Sequence, residues 1–182
     1  SPLAGQRGAI NWQPHNRLIP SLPPKIGRWL LDPASLTDHL MSVSQNQFAV
    51  SLQNQRWQRP SHDERRALKL NNRAIAQSRD VVLLGKGQPW VYAHSIIPAH
   101  AIQTHARQLL MLNNTSFGSW LFSHPNLKRI GCEVATLKPG NLLVPAEFQQ
   151  QHTLWGRRSV FAVHNLQILV CEIFLPSFKP WD

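Results

Sequence analysis

Glu172 stands inside Ile168-Leu169-Val170-Cys171-Glu172-Ile173-Phe174-Leu175, with apolar residues on both sides. In a strand, period two puts it on one face with Ile168, Val170 and Phe174. A carboxylate on such a face is costly to bury unless it is paired or protonated. It is therefore half of a structural ion pair, a residue of a strand whose other face is wet, or a group kept for function. Arg79 has the same character in reverse, sharing a face with Val81 and Leu83 at the head of an apolar strand. A guanidinium there needs a carboxylate, which its fork can hold through two hydrogen bonds. That carboxylate is Glu172 itself or belongs to a ligand. Leu154-Trp155-Gly156-Arg157-Arg158-Ser159 adds two guanidiniums after a glycine that permits an unusual backbone turn. Adjacent strand residues point oppositely, so only one of the two faces a pocket.

Other chemistries find less support. The nine histidines are scattered, and His100 and His105 miss the i, i+4 spacing of a helix-face ligand pair, so no metal site is expected. Cys132 and Cys171 form neither a disulfide framework nor a C-x-x-C pair. There is no G-x-G-x-x-G, Walker loop or G-x-S-x-G. Arg56-Trp57-Gln58-Arg59 interleaves basic and aromatic residues, yet no nucleic-acid motif accompanies it.

The elements that must position these residues read as follows. Residues 1–24, with Pro14, Pro20, Pro23 and Pro24, read as an extended N-terminal arm, and residues 25–182 as one domain. Ile26, Trp29, Leu30 and Leu31 give a helical stripe interrupted at Pro33, and a second short helix follows with Ser35 as N-cap. Phe48–Leu52 alternates as a strand, whereas the polar stretch 55–72 reads as a connecting helix or lid. Two apolar runs around Gly85-Lys86-Gly87-Gln88 predict a hairpin. A helix is expected over 99–112, strands over 130–137, 157–163 and 167–175, and a turn at His164-Asn165. Strands close in sequence with few helices indicate an antiparallel sheet of the α+β class.

Length and charge set the outer bounds. A chain of 182 residues is one domain's worth and buries roughly 70% of its unfolded surface, enough to fold without a disulfide or metal. Nineteen Lys and Arg against nine acids give +10, a field that draws in anions: nucleic acid, anionic lipid or a small carboxylate. No apolar run reaches the ~20 residues of a spanning helix, and the expectation is a soluble cytoplasmic protein.

The ordered blocks carry a resemblance. Trp29-Leu30-Leu31-Asp32-Pro33-Ala34-Ser35-Leu36-Thr37 is followed by Ser78-Arg79-Asp80-Val81-Val82-Leu83-Leu84 and Gly87-Gln88-Pro89-Trp90. Ile96-Ile97-Pro98, Phe117-Gly118-Ser119-Trp120-Leu121-Phe122, the Trp155-Gly156-Arg157-Arg158-Ser159 block and Glu172-Ile173-Phe174-Leu175-Pro176 complete the set. From about Lys25 to Ser177 the chain resembles the chorismate pyruvate-lyase family. The resemblance implies about six antiparallel strands with helices packed on them and lid segments over a buried site. It implies cofactor-free conversion of chorismate to 4-hydroxybenzoate and pyruvate, for quinone biosynthesis, by a monomer. By position, Arg79 would hold the ring carboxylate, Glu172 would act at the other end of the site, and the backbone of Leu36 and Phe117, with Gly118 beside it, would hold the ligand. His94 or Arg158 would stabilise the leaving enolpyruvate. Family members tend to have Met at the place of Leu36, Leu at that of Phe117 and Arg at that of His94, and their counterpart of 136–152 is shorter. The alternative function is a non-catalytic sensor module for small aromatic acids, since a related sheet serves as the effector domain of some transcription regulators.

Overall fold

The structure, a computed structural model, describes residues 10–14, 22–104, 111–112, 117–164 and 166–181. Seven strands form one antiparallel sheet: β1 (Gln13–Pro14), β2 (Phe48–Gln58), β3 (Ala76–Gly85), β4 (Gln88–Pro98), β5 (Lys128–Leu137), β6 (Leu154–Val163) and β7 (Leu166–Phe174), in the order β1-β5-β6-β7-β4-β3-β2. The strand beyond the expected six is two-residue β1, which pairs with β5 from within the segment read as an arm. Residues 1–9 and 15–21 of that segment lie outside the described residues.

Six helices accompany the sheet among the described residues: α1 (Pro24–Leu31), α2 (Leu36–Val43), α3 (His62–Leu68), α4 (Ala99–Thr104), α5 (Phe117–Phe122) and α6 (Ala146–Gln149). Pro24 opens α1, where a missing N–H costs nothing. The Ser35 side chain accepts from the Asp38 amide and caps α2 as expected. Ser61 and Glu64 form a capping box that starts α3. Asn165 and residues 105–110 of the expected helix 99–112 lie outside the described residues.

The sheet is covered on both faces. On the front face, Leu30, Leu36 and Leu40 of α1 and α2 pack on Val81, Leu83, Val91 and Ala93. Ala101 and Ile102 of α4, with Phe117 and Leu121 of α5, pack on Phe161, Ile168 and Val170. On the back face, Leu68 of α3 packs on Ile96, Leu169 and Cys171, while Leu143 and Val144 pack on Tyr92, Leu154 and Ile173. The polar stretch 55–72 is thus no lid. Residues 55–58 extend edge strand β2, and the next helix seals the back of the sheet. Its charged residues misled because two of them, as described below, face inward toward buried partners.

Two register shifts decide which side chains reach which face. The β3–β4 hairpin turns through Lys86 and Gly87, both at positive φ (52° and 77°), as a type I′ turn requires. Pairing begins at Gly85↔Gln88 and Leu84↔Pro89 but continues as Leu83↔Val91, so Trp90 is an extra residue. Gly85 makes room for it: a Cβ there would lie 2.2 Å from the Trp90 ring. In β5, pairing passes from Gly131↔Val160 to Arg129↔Phe161, leaving Ile130 bulged and exposed.

Candidate active site

Arg79 on β3, Arg129 on β5, Arg157 on β6 and Glu172 on β7 line a cavity under the front-face helices, closed by Leu36, Phe117 and Gly118. The space, mouth included, is about 550 Å³.

Glu172 lies directly opposite Arg157 in the β6–β7 ladder. Arg157 Nε donates to Glu172 Oε1 at 2.9 Å and a terminal nitrogen reaches Oε2 at 3.5 Å. The remaining terminal nitrogen donates to the carbonyls of Trp29 (3.1 Å) and Asp32 (2.7 Å) at the C-terminal end of α1, where helix carbonyls lack partners within the helix. Burial would depress the Arg157 pKa, but the charge and hydrogen bonds of Glu172 outweigh it and push the pKa up. Glu172 is 8% exposed and Arg157 1%, so this is a buried pair.

Arg79, 2% exposed, donates to Gln55 Oε1 at 3.0 Å from edge strand β2. Burial holds its pKa below the usual arginine value. Of the two partners weighed for Arg79, Glu172 is thus committed to Arg157. Leu36 is the first residue of α2, and an amide in that position has no acceptor within its own helix. Phe117 and Gly118 are the first described residues of α5.

Two residues expected at the ligand are elsewhere. His94 projects from the back face, where Nδ1 meets Asp80 Oδ1 at 2.5 Å and Nε2 meets Glu64 Oε2 at 2.7 Å. Tyr92 donates its hydroxyl to the other Asp80 oxygen at 2.8 Å. Although burial opposes it, the Asp80 and Glu64 carboxylates raise the His94 pKa to about 10. In turn, burial works against the Glu64 carboxylate, but the hydrogen bond and charge of His94 lower its pKa to about 2. The bulge at Trp90 is the reason for the placement: it brings Ser95, rather than His94, opposite Arg79. Arg158 also points backward, donating to Glu133 Oε1 at 2.7 Å and to Asp63, with its guanidinium over the Trp12 ring. Neither residue lines the cavity.

Sequence reasoning missed Arg157 as the partner of Glu172 and missed Arg129 altogether. The first was within reach. Counting outward six residues from Val163 and Leu166, on either side of the expected turn, arrives at Arg157 and Glu172. Gly156 was read as a turn residue and is instead extended strand, where a Cβ would lie 2.4 Å from Ile173 Cδ1.

Residues 7–182 match the family described as Chorismate lyase. The chain belongs to the chorismate lyase family. A relative from Pseudomonas putida, named probable chorismate pyruvate-lyase, is 36% identical over 172 residues, covering 94% of this chain and 91% of its own. One from Idiomarina loihiensis with the same name is 34% identical over 170 residues, covering 92% and 86%. Among solved structures, PhnF from Mycobacterium smegmatis superposes with a TM-score of 0.57 at 10% identity, covering 97% of this chain and 92% of that one. The ligand-binding domain of a putative GntR-family regulator from Bordetella bronchiseptica gives 0.54 at 12% identity, with 71% and 85% covered. This chain and these two solved structures therefore share a fold. The family's two most specific sequence blocks here, Trp155–Ser159 and Glu172–Pro176, lie side by side because β6 and β7 pair.

Proposed function

We propose that the chain is a chorismate pyruvate-lyase that eliminates pyruvate from chorismate to give 4-hydroxybenzoate. The observation that carries this reading is one enclosed cavity holding a buried Arg79 and, across it, the Glu172–Arg157 pair, in a member of this family. Arg79 binds the ring carboxylate with the planar fork that suits it. The backbone at Leu36, Phe117 and Gly118 holds the ligand through hydrogen bonds, with the Leu36 amide free of any acceptor within α2.

In the reaction the C3–O ether bond breaks and its oxygen becomes the carbonyl oxygen of pyruvate. C4 gives up its hydrogen, and the new C3=C4 double bond completes the aromatic ring. The pyruvate methyl group gains one hydrogen. Arg157 fixes the Glu172 carboxylate, which takes the C4 proton or orients the C4 hydroxyl while the hydrogen passes directly to the methylene. Neither route calls for a cofactor, and 4-hydroxybenzoate is the aromatic acid from which a quinone ring is built. Deuterium at C4 separates the routes, since direct transfer delivers it to pyruvate and proton relay exchanges it with water.

The deciding experiment follows 4-hydroxybenzoate and pyruvate together after adding chorismate. Equal amounts of both, lost in Glu172→Gln, are expected. Tight 4-hydroxybenzoate binding without turnover would instead support a sensor module, the reading favoured by the likeness to regulator domains. Neither turnover nor binding would overturn both readings.

A further inference from the structure

Arg129 is the cavity residue whose chemistry is unused. The bulge at Ile130 turns it onto the front face, opposite Phe161. Its guanidinium carbon lies 5.0 Å from the Phe161 ring centroid, in cation–π position. One terminal nitrogen donates to the Asp32 carbonyl at 3.2 Å, an acceptor it shares with Arg157. Its Nε is buried and has no hydrogen-bond partner among the described residues. A buried donor without an acceptor costs about 1–3 kcal/mol and calls for an explanation. Burial, and the neighbouring charge of Arg157 next, hold its pKa below the ordinary arginine value, but a guanidinium stays protonated all the same.

The charges around the cavity point the same way. Among the described lining residues there are three guanidiniums, Arg79, Arg129 and Arg157, and one carboxylate, Glu172. Glu172 is held by Arg157, and Arg129 has no ion-pair partner among the described residues. Arg79 and Arg129 enter from opposite sides. Their strands, β3 and β5, are separated in the sheet by β4, β7 and β6. Four interstrand steps of about 4.8 Å put their backbones roughly 19 Å apart across the sheet, with the Arg79 guanidinium held by Gln55 of β2 and that of Arg129 lying over the Phe161 ring.

We infer that Arg129 binds a second carboxylate, so that the cavity selects ring compounds with an anionic group at each end over ring monocarboxylates. This rests on the proposed function and deepens it. Chorismate carries two carboxylates and 4-hydroxybenzoate one, so Arg129 holds the enolpyruvyl carboxylate in the substrate and has nothing to hold in the aromatic product. It takes the role expected of His94 or Arg158.

The test compares binding of 3-(carboxymethoxy)benzoate, a stable ring dicarboxylate, with binding of benzoate, both by calorimetry on the whole chain. Wild type should prefer the dicarboxylate roughly tenfold to a hundredfold, as one charge-assisted hydrogen-bonded contact allows. Arg129→Gln should remove the preference and leave benzoate affinity within about twofold, which also reports an intact cavity. Arg129→Lys should retain part of it. Arg79→Gln should weaken both probes. A wild type without the preference, or an Arg129→Gln protein that keeps it, overturns the inference. Chorismate turnover by wild type is scored separately. A preference lost in Arg129→Gln without turnover leaves Arg129 as the second anion site and defeats the lyase reading alone.

Discussion

The two faces of one sheet carry buried charge in opposite ways. On the front, three guanidiniums and a single carboxylate among the described residues surround a cavity, and the Arg129 Nε has no acceptor among them. On the back, His94 and Arg158 are surrounded by Asp80, Glu64, Asp63 and Glu133, every one of them in an ion pair. Arg157 and Arg158 are adjacent in sequence and belong to different systems. Excess cation beside empty space suits an arriving anion. A closed network suits attachment of α3 to the sheet, since Glu64 and Asp63 both come from that helix. Burial of charge alone therefore does not mark a site; the imbalance does.

Glu172→Gln should break the front-face chemistry most severely, lowering kcat roughly 10²- to 10⁴-fold, the range lost with a proton-transfer group. Denaturant midpoints should move far less than activity, because the amide still accepts from Arg157. A variant with near-normal turnover would remove Glu172 from the reaction.

His94→Leu should break the back face instead. Leaving Glu64 and Asp80 as buried carboxylates without their cation should cost about 3–5 kcal/mol in urea unfolding. Turnover per folded molecule should stay near wild type. The same pair predicts the pH profile of stability. The pKa of His94 is raised in the folded state, from 6.5 to about 10, so its contribution is complete below about 6.5 and is lost as pH rises through 10. The pKa of Glu64 is lowered from 4.5 to about 2, so its contribution is complete above about 4.5 and is lost as pH falls through 2. His94→Leu should flatten the alkaline loss; thermal melts across pH 6–10 would show whether it does.

Gly156→Ala tests the seam between the faces. Its methyl would enter the space of Ile173 Cδ1, and a cost of about 1–3 kcal/mol is expected from overpacking. The smallest effect belongs to Arg158→Gln, about 1 kcal/mol in urea, because Asp63 and Glu133 remain partly in water. Its kcat/KM for chorismate should stay within about twofold of wild type, while Arg157→Gln should lose most activity. Equal losses at the two positions would erase the distinction between the faces.

Much of this was legible from residue types. Glu172 and Arg79 are charges alone in apolar strands, and that cost of burial is a signal carried by the chain itself. The hairpin turn, the Ser35 cap and the alternation in β7 are local and came through for the same reason. Glu64 stood in a polar stretch that nothing local connects to His94, thirty positions away. Arg129 sits in a polar turn-to-strand segment, where an arginine is ordinary until its strand is paired.

What the sequence by itself determined is the main strands and the first two helices, the antiparallel class of the sheet, and the chemistry of the two lone charges. The tertiary structure alone decided which charges meet. Side chains alternate with period two, so one inserted residue inverts every position beyond it. Without the bulge at Trp90, His94 would stand opposite Arg79 and face the cavity; with it, Ser95 does. Without the bulge at Ile130, Arg129 would point to the back face; with it, the guanidinium lies over Phe161 at the mouth of the site. A bulge is stabilised by packing around it, here by the Trp90 ring against a glycine in the facing strand, and that is a contact only the folded sheet can make.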